Sequence, residues 1–181
     1  MKSAIFASAV LAATAATALG PAPALAESST KSTSQAEPVK GMSAEKFATT
    51  AAASNEFEIE SSKLALEKSK TEAVQSFARM MVDDHTAAGK KMMEAAKADG
   101  VTLAAPKLDE RHETMLTELK GAGDDAFDKR YVAMQVQAHE EAVALFKAYS
   151  REKGELAKFA SETLPTLEKH EAAIKKIANG G

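Results

Sequence analysis

The sequence has 181 residues and carries 23 basic against 26 acidic side chains, for a formal net charge of −3. Lysine and glutamate are interspersed and form no basic stripe, which argues against a nucleic-acid-binding protein. Cysteine is absent, so disulfides and a lipidated cysteine are excluded. A cysteine nucleophile, a G-x-S-x-G turn and a phosphate-binding loop are all missing, so the sequence favours a non-enzymatic protein.

Residues 1–26 have the features of a secretory signal peptide. Lys2 precedes an apolar run over 4–19, and the A-x-A pattern at 24–26 is typical of a cleavage site. The alternative is an uncleaved membrane anchor, but the apolar run is shorter than the roughly 20 residues that a span needs. We therefore expect a periplasmic protein that has no membrane span once the signal peptide is removed.

Two further regions follow the signal peptide. Residues 27–43 are polar, poor in apolar side chains and contain Pro38 and Gly41, so they are predicted to form a disordered linker. Over 44–178 alanine, leucine, glutamate, lysine and methionine dominate, and apolar residues recur with the period of a helix. This last region predicts a single all-α domain.

The apolar period and the end signals place four long helices, A to D, at about 44–68, 72–99, 124–153 and 155–178. Ser43 is the predicted N-cap of helix A, and residues 69–72 (S-K-T-E) predict a capping box at the start of helix B. The long B–C connection, 101–123, contains a predicted short helix over 109–120. Pro165 predicts a kink in helix D. Since only the B–C connection is long, the pattern predicts a ferritin-like four-helix bundle with a B–C crossover.

Four polar residues lie on the apolar rows of the long helices, one on each helix. They are Glu58 on A, His85 on B, His139 on C and His170 on D. Each lies near the middle of its helix, so an antiparallel bundle brings all four to one level. The fourth histidine, His112, has charged neighbours in the short helix and is interpreted as a surface residue.

Buried polar side chains must pair with one another, with a metal ion or with trapped water, because leaving them unpaired costs several kcal/mol. Imidazole is the commonest metal ligand in proteins. The pattern therefore predicts one transition-metal ion, Zn, Fe, Mn or Cu, held by the three histidines and Glu58, with Asp84 as a further candidate ligand. Methionines on the same rows would suit Cu(I), although core filling explains them as well. A di-iron carboxylate site is not predicted, because its Glu-x-x-His pairs are missing.

Three segments carry a resemblance to a known family: 77–85 (FARMMVDDH), 127–131 (FDKRY) leading to His139, and 163–170 (TLPTLEKH). In this order they resemble a bacterial exported family of unknown function, which is predicted to be ferritin-like and is often labelled as outer membrane protein. The resemblance covers roughly residues 44–178. It implies the bundle, the three histidine positions and the Glu58-Ile59 segment, and it implies no activity.

Three functions remain open at this point. The first is a periplasmic bundle protein that binds one transition-metal ion and serves metal handling or the envelope stress response. The second is a metal-free structural or interaction module, in which the histidines form a polar layer that fixes helix register. The third is an oxidoreductase that uses the metal, which needs an open coordination position beside small residues such as Ser54 and Ala88.

Overall fold

The computed structural model describes residues 41–180, and this part of the chain forms five helices and no strand. The helices are α1 Ala44–Lys68, α2 Glu72–Ala98, α3 Glu110–Lys120, α4 Asp124–Tyr149 and α5 Glu155–Ala178. The expected all-α class is therefore confirmed for these residues. The predicted signal peptide, 1–26, and most of the predicted linker lie outside the described residues. No helix between residues 41 and 180 combines the length and the apolar character that crossing a membrane requires.

The caps of the first two helices follow the sequence signals only in part. Ser43 caps α1, since its hydroxyl accepts a hydrogen bond from the Lys46 N–H at 3.2 Å. The predicted capping box at 69–72 was wrong. Thr71 is the N-cap of α2 and makes no capping bond, while the Ser69 hydroxyl accepts from the Thr71 N–H at 3.1 Å. Ser69 therefore organises the turn between the helices instead of capping the second one.

Helix α4 ends at Tyr149 and not near residue 153 as predicted. After Tyr149 the backbone forms 3₁₀-type hydrogen bonds between residues three apart. An example is the bond from the Glu152 N–H to the Tyr149 carbonyl at 2.9 Å. Helix α5 is continuous through Pro165. The kink at Pro165 stays a prediction, which rests on the helical hydrogen bond that proline cannot donate to the Ser161 carbonyl.

The start of α5 is capped by a residue from the end of α2. The Asp99 carboxylate accepts hydrogen bonds from the backbone N–H groups of Glu155 and Leu156, at 2.9 and 2.8 Å. Gly154 precedes them with φ +110°, and a Cβ at this position would lie 2.7 Å from Asp99 Oδ2. Glycine is required here both for the backbone conformation and for the approach of the carboxylate. Asp99 thus satisfies N–H groups that α5 itself leaves free.

Side-chain contacts give the directions of the long helices, which pack as a helical bundle in the pairs α1·α2, α4·α5, α2·α5 and α1·α4. Phe47, near the start of α1, stacks on Tyr149, at the end of α4. Near the other end of α1, Ser62 Oγ lies 2.9 Å from Tyr131 Oη, close to the start of α4. Helices α1 and α4 are therefore antiparallel. The Asp99 cap joins the end of α2 to the start of α5, so that pair is antiparallel as well.

Two large apolar clusters lie toward opposite ends of the bundle, and a smaller third one is built around Phe57, Leu116 and Ala138. The first cluster is built mainly from Phe47, Met92, Phe146, Tyr149, Leu156, Phe159 and Leu167. The second is built mainly from Val74, Phe77, Met81, Phe127, Tyr131 and Ile174. Burying such side chains is the main stabilising contribution in a bundle of this kind. Between the two clusters lies a layer of buried polar side chains, which contains the candidate site.

His112 is buried, which overturns its interpretation as a surface residue. It is only 6% exposed, and its ring lies 5.2 Å from the ring of Phe57 on α1. Its Nδ1 lies 2.8 Å from Asp109 Oδ1, the carboxylate that also caps α3. Glu110, Arg111 and Glu113 are exposed on other faces of α3, so the charged sequence around His112 did not reveal that its own face packs against α1.

Candidate metal centre

Three histidines converge in the polar layer, each from a different long helix. The ring centroids of His85, His139 and His170 lie 5.6 to 5.9 Å apart. One ring nitrogen of each histidine lies within 4.8 Å of one ring nitrogen of each of the others. The three side chains are 7%, 1% and 2% exposed. The structure thus brings together the three histidines that their mid-helix positions placed at one level.

The rings of His85 and His139 are held in place through Nδ1. His85 Nδ1 lies 3.0 Å from Asn55 Oδ1 on α1, and His139 Nδ1 lies 2.9 Å from the backbone carbonyl of Gln135, one turn earlier on α4. Both partner oxygens accept hydrogen bonds, so Nδ1 carries the hydrogen in the neutral form of each ring. The lone pair of each neutral ring is then at Nε2.

His170 is held through its other nitrogen. Its Nε2 lies 2.8 Å from Asp84 Oδ2, and the Asp84 side chain is about half exposed. A carboxylate oxygen accepts, so Nε2 donates and the lone pair of the neutral ring is at Nδ1. Asp84 therefore contacts the side of His170 that faces away from that lone pair. This position suits a residue that orients the ring better than one that binds a metal directly.

The remaining nitrogen of each ring has no hydrogen-bond partner among the described residues. These atoms are Nε2 of His85, Nε2 of His139 and Nδ1 of His170, and all three are buried. In the neutral form of each ring the opposite nitrogen donates, so the unpartnered nitrogen is then an acceptor. One water molecule has two hydrogens and cannot satisfy three acceptors, whereas one cation can take all three lone pairs. The set therefore has the chemistry of a metal-binding site.

Burial keeps two of these rings in the form that binds metals. The pKa of His85 is lowered well below its usual value, by burial first and then by the neighbouring rings of His139 and His170. Burial likewise lowers the pKa of His139 to about 4, although the Gln135 carbonyl opposes the shift. Both imidazoles are thus neutral near pH 7, and a metal does not have to displace a proton from them.

Glu58 lies beside the three histidines, behind the ring of His139. Its side chain is almost fully buried, and Oε1 lies 3.9 Å from His139 Nδ1, the nitrogen that bonds to the Gln135 carbonyl. Burial raises the pKa of Glu58 to about 8, and the Gln135 amide opposes this shift. Oε2 of Glu58 has no partner among the described residues. Glu58 therefore occupies the polar layer but is not part of the group whose ligand atoms lie within 4.8 Å of one another, and its role as a ligand stays a prediction.

Sequence reasoning missed the partners that orient the rings. Asn55 was not singled out, although it lies three residues before Glu58 and therefore shares its side of α1. Its amide fits because residue 89 on α2 is glycine; a Cβ there would lie 3.1 Å from Asn55 Nδ2. Gln135 was missed as well, although it lies one turn before His139 and is fully buried. A polar residue one turn from a candidate ligand was the available signal in both cases.

A family model described as a domain of unknown function (DUF4142) matches residues 27–177. The chain belongs to the DUF4142 family. No curated protein and no solved structure matches it. The resemblance to a family of unknown function is confirmed to that extent, and the activity of this DUF4142 protein has to be argued from its own residues.

Proposed function

We propose that this DUF4142 protein is a periplasmic protein that binds one transition-metal ion through His85, His139 and His170. The observation that carries the proposal is the convergence of three buried imidazoles, each with one nitrogen engaged and the other without a protein partner. Zn, Fe, Mn and Cu all accept imidazole ligands. The proposed cellular role is metal handling or the envelope stress response, and the export step rests on the signal-peptide features of residues 1–26.

The distances among the rings are compatible with a closed metal site after a small adjustment. Three nitrogens bound tetrahedrally at 2.0–2.1 Å would lie about 3.4 Å apart. In the described arrangement, one ring nitrogen of each histidine lies within 4.8 Å of one ring nitrogen of each of the others. Between these nitrogens each distance has to shorten by at most about 1.4 Å. Three protein ligands leave at least one coordination position for another group.

The partners behind the rings support the same proposal. Metal-bound histidines usually donate their second nitrogen to a carboxylate, a carbonyl or water, which fixes the tautomer and the ring orientation. Here the three acceptors are the Asn55 amide oxygen, the Gln135 carbonyl and the Asp84 carboxylate. We propose that Asp84 orients His170 through Nε2 and that Glu58 lies near Nδ1 of His139. The sequence alone had suggested both residues as direct ligands.

We also propose a ferritin-like four-helix bundle for the fold, with a long crossover between α2 and α4. Two contacts at opposite ends of the bundle support it. Asp99, where α2 ends, contacts the start of α5, and Lys68, where α1 ends, donates to the Ala122 carbonyl just before α4 at 3.1 Å. The segment from Asp99 to Ala122, which contains α3, therefore runs the length of the bundle.

The alternative of a metal-free module fits the site less well. A polar layer that only fixes helix register is stable when its members satisfy one another. In this layer, the three ring nitrogens, Glu58 Oε2 and Gln135 Oε1 have no protein partner among residues 41–180. Each buried polar atom left unpaired costs about 1–3 kcal/mol, so the layer is poorly suited to a purely structural role.

Elemental analysis of protein purified from the periplasm tests the proposal. We expect about one equivalent of a transition metal in the wild type, the same content in His112→Ala and almost none in His170→Ala. A chelator should lower the thermal midpoint of the wild type and of His112→Ala. Substoichiometric metal in the wild type, equal metal in the two variants, or a midpoint that does not respond to chelator would contradict metal binding and favour the metal-free module.

A further inference from the structure

A narrow pocket of about 40 Å³ lies against two of the three histidines, His85 and His170. Most of its wall area is apolar, although Asn55 and Asp84 also line it. The apolar side chains that line it are Ala51, Ala88, Met92, Ala142, Phe146, Phe159 and Leu167. One water molecule needs about 10–15 Å³ of such space. The pocket therefore has room for a molecule of two or three non-hydrogen atoms, directly beside the rings that carry unpartnered nitrogens.

A larger groove of about 490 Å³ runs along the surface between α2 and α5 and adjoins this pocket. The residues that line both spaces are Asp84, Ala88, Phe159, Thr163 and Thr166. Most of these shared residues have short side chains. The groove therefore offers a path from solvent to the pocket that passes between α2 and α5.

The charge of the groove and the wall of the pocket restrict what can follow this path. Asp84, Glu94, Glu155 and Glu162 line the groove together with only two lysines, Lys91 and Lys158. The excess of carboxylates disfavours anions. Inside the pocket, the apolar wall offers few partners to a charged or strongly polar molecule, and desolvating such a molecule is costly. A small neutral molecule of low polarity is the occupant that both features favour.

We propose that the pocket beside His85 and His170 admits an apolar diatomic gas, of the class of dioxygen or nitric oxide, through the groove between α2 and α5. The inference goes beyond the proposed metal site and is tested independently of it. The pocket borders His85 and His170 on the side where Asn55 and Asp84 contact these rings. Its small volume and mostly apolar wall disfavour larger and charged molecules.

Dissolved dioxygen is itself the probe, because it is paramagnetic and increases the relaxation rate of nearby methyl groups. The experiment measures methyl relaxation in the metal-free full chain under oxygen pressure. Met92 lines the pocket, whereas Met81 is a buried methionine of the other cluster on the same helix. We expect the enhancement at Met92 to exceed that at Met81 by about threefold or more, since small apolar cavities bind apolar gases. Equal enhancement at the two methyls would overturn the proposal.

A filling variant and its matched control sharpen the result. Ala88→Leu places a larger side chain in the pocket, and Ala73→Leu makes the same change at an exposed position of α2 outside both spaces. The difference between Met92 and Met81 should vanish in the first variant and persist in the second. A difference that survives Ala88→Leu in a folded protein would overturn the proposal. The comparison in the wild type decides the question alone if Ala88→Leu does not fold.

A Co(II) titration of the same samples separates this proposal from the proposed function. Metal binding without enhancement at Met92 would overturn the gas pocket and leave the metal site standing. Enhancement at Met92 without metal binding would support the pocket as a gas site and overturn the metal site next to it. Both results together, with Co(II) affinity unchanged in Ala73→Leu, are what we expect.

Discussion

His112 and the three clustered histidines are all buried, but their hydrogen bonding is different. The Nδ1 atom of His112 pairs with Asp109, and neither of its ring nitrogens is among the buried atoms that lack a partner in the described chain. Each clustered histidine has one nitrogen engaged and one such unpartnered nitrogen. Burial alone therefore does not distinguish a ligand from a core residue in this protein. The distinguishing feature is a ring nitrogen that is itself buried and that no protein group satisfies.

The largest expected effect comes from removing a ligand. Zn(II) at about 100 times its Kd should stabilise the metal-free wild type by about 2.7 kcal/mol. In a domain of this size that raises the thermal midpoint by about 5–10 °C. His139→Ala should lose this response, whereas His112→Ala should keep it, because only His139 places a buried unpartnered nitrogen in the cluster. Thermal melts with and without Zn(II) measure the difference, and an equal response in both variants would remove the distinction between the two kinds of histidine.

A smaller effect is expected from the carboxylate behind His170. Asp84→Ala should weaken Co(II) binding by about 10- to 100-fold, the usual consequence of losing the partner that orients a ligand. Asp83→Ala is the matched control, because Asp83 is the exposed neighbour of Asp84. Competition titrations measure both affinities. Equal affinities in the two variants would show that the bond between Asp84 and His170 does not orient a ligand.

Glu58 should have a weaker effect still. Glu58→Gln preserves the shape of the side chain, and Glu58 lies on the side of His139 away from its lone pair, so Co(II) affinity should change by less than about tenfold. Glu60→Gln is a control on the same helix, where Glu60 forms a surface ion pair with Lys63. A loss greater than about 100-fold in Glu58→Gln would instead make Glu58 a direct ligand.

His112 itself should matter only for stability. His112→Leu keeps an apolar contact with Phe57 but loses the bond to Asp109, which should cost about 1 kcal/mol. The thermal midpoint of the metal-free protein should fall by about 2–4 °C. Co(II) affinity should stay at the wild-type value. A His112→Leu variant with an unchanged midpoint and weakened Co(II) binding would reverse the roles assigned to His112 and to the clustered histidines.

The long helices were predictable because their signals are local. The apolar period, Ser43 and Gly154 placed α1 and α5 at the observed residues. The level of the histidines was predictable for a related reason, since mid-helix residues meet in antiparallel helices of similar length. The capping box failed because Ser69 forms its bond within the turn, and the choice between Ser69 and Thr71 as the cap depends on how the two helices meet.

The partners of the candidate site were not predictable from helix patterns. The approach of Asn55 to His85 depends on how α1 is rotated against α2, and on the space that Gly89 leaves between them. The burial of His112 depends on the docking of α3 against α1. Both are tertiary contacts across long sequence separations, and helical periodicity does not determine them.

Anomalous diffraction from a crystal grown with Zn(II) tests the central claim most directly. The account predicts one strong peak between the three rings, at about 2.0–2.1 Å from Nε2 of His85, Nε2 of His139 and Nδ1 of His170. It also predicts that Asn55, the Gln135 carbonyl and Asp84 still accept hydrogen bonds from the opposite nitrogens. A cluster without a peak, or a peak coordinated through one of those opposite nitrogens, would contradict the account.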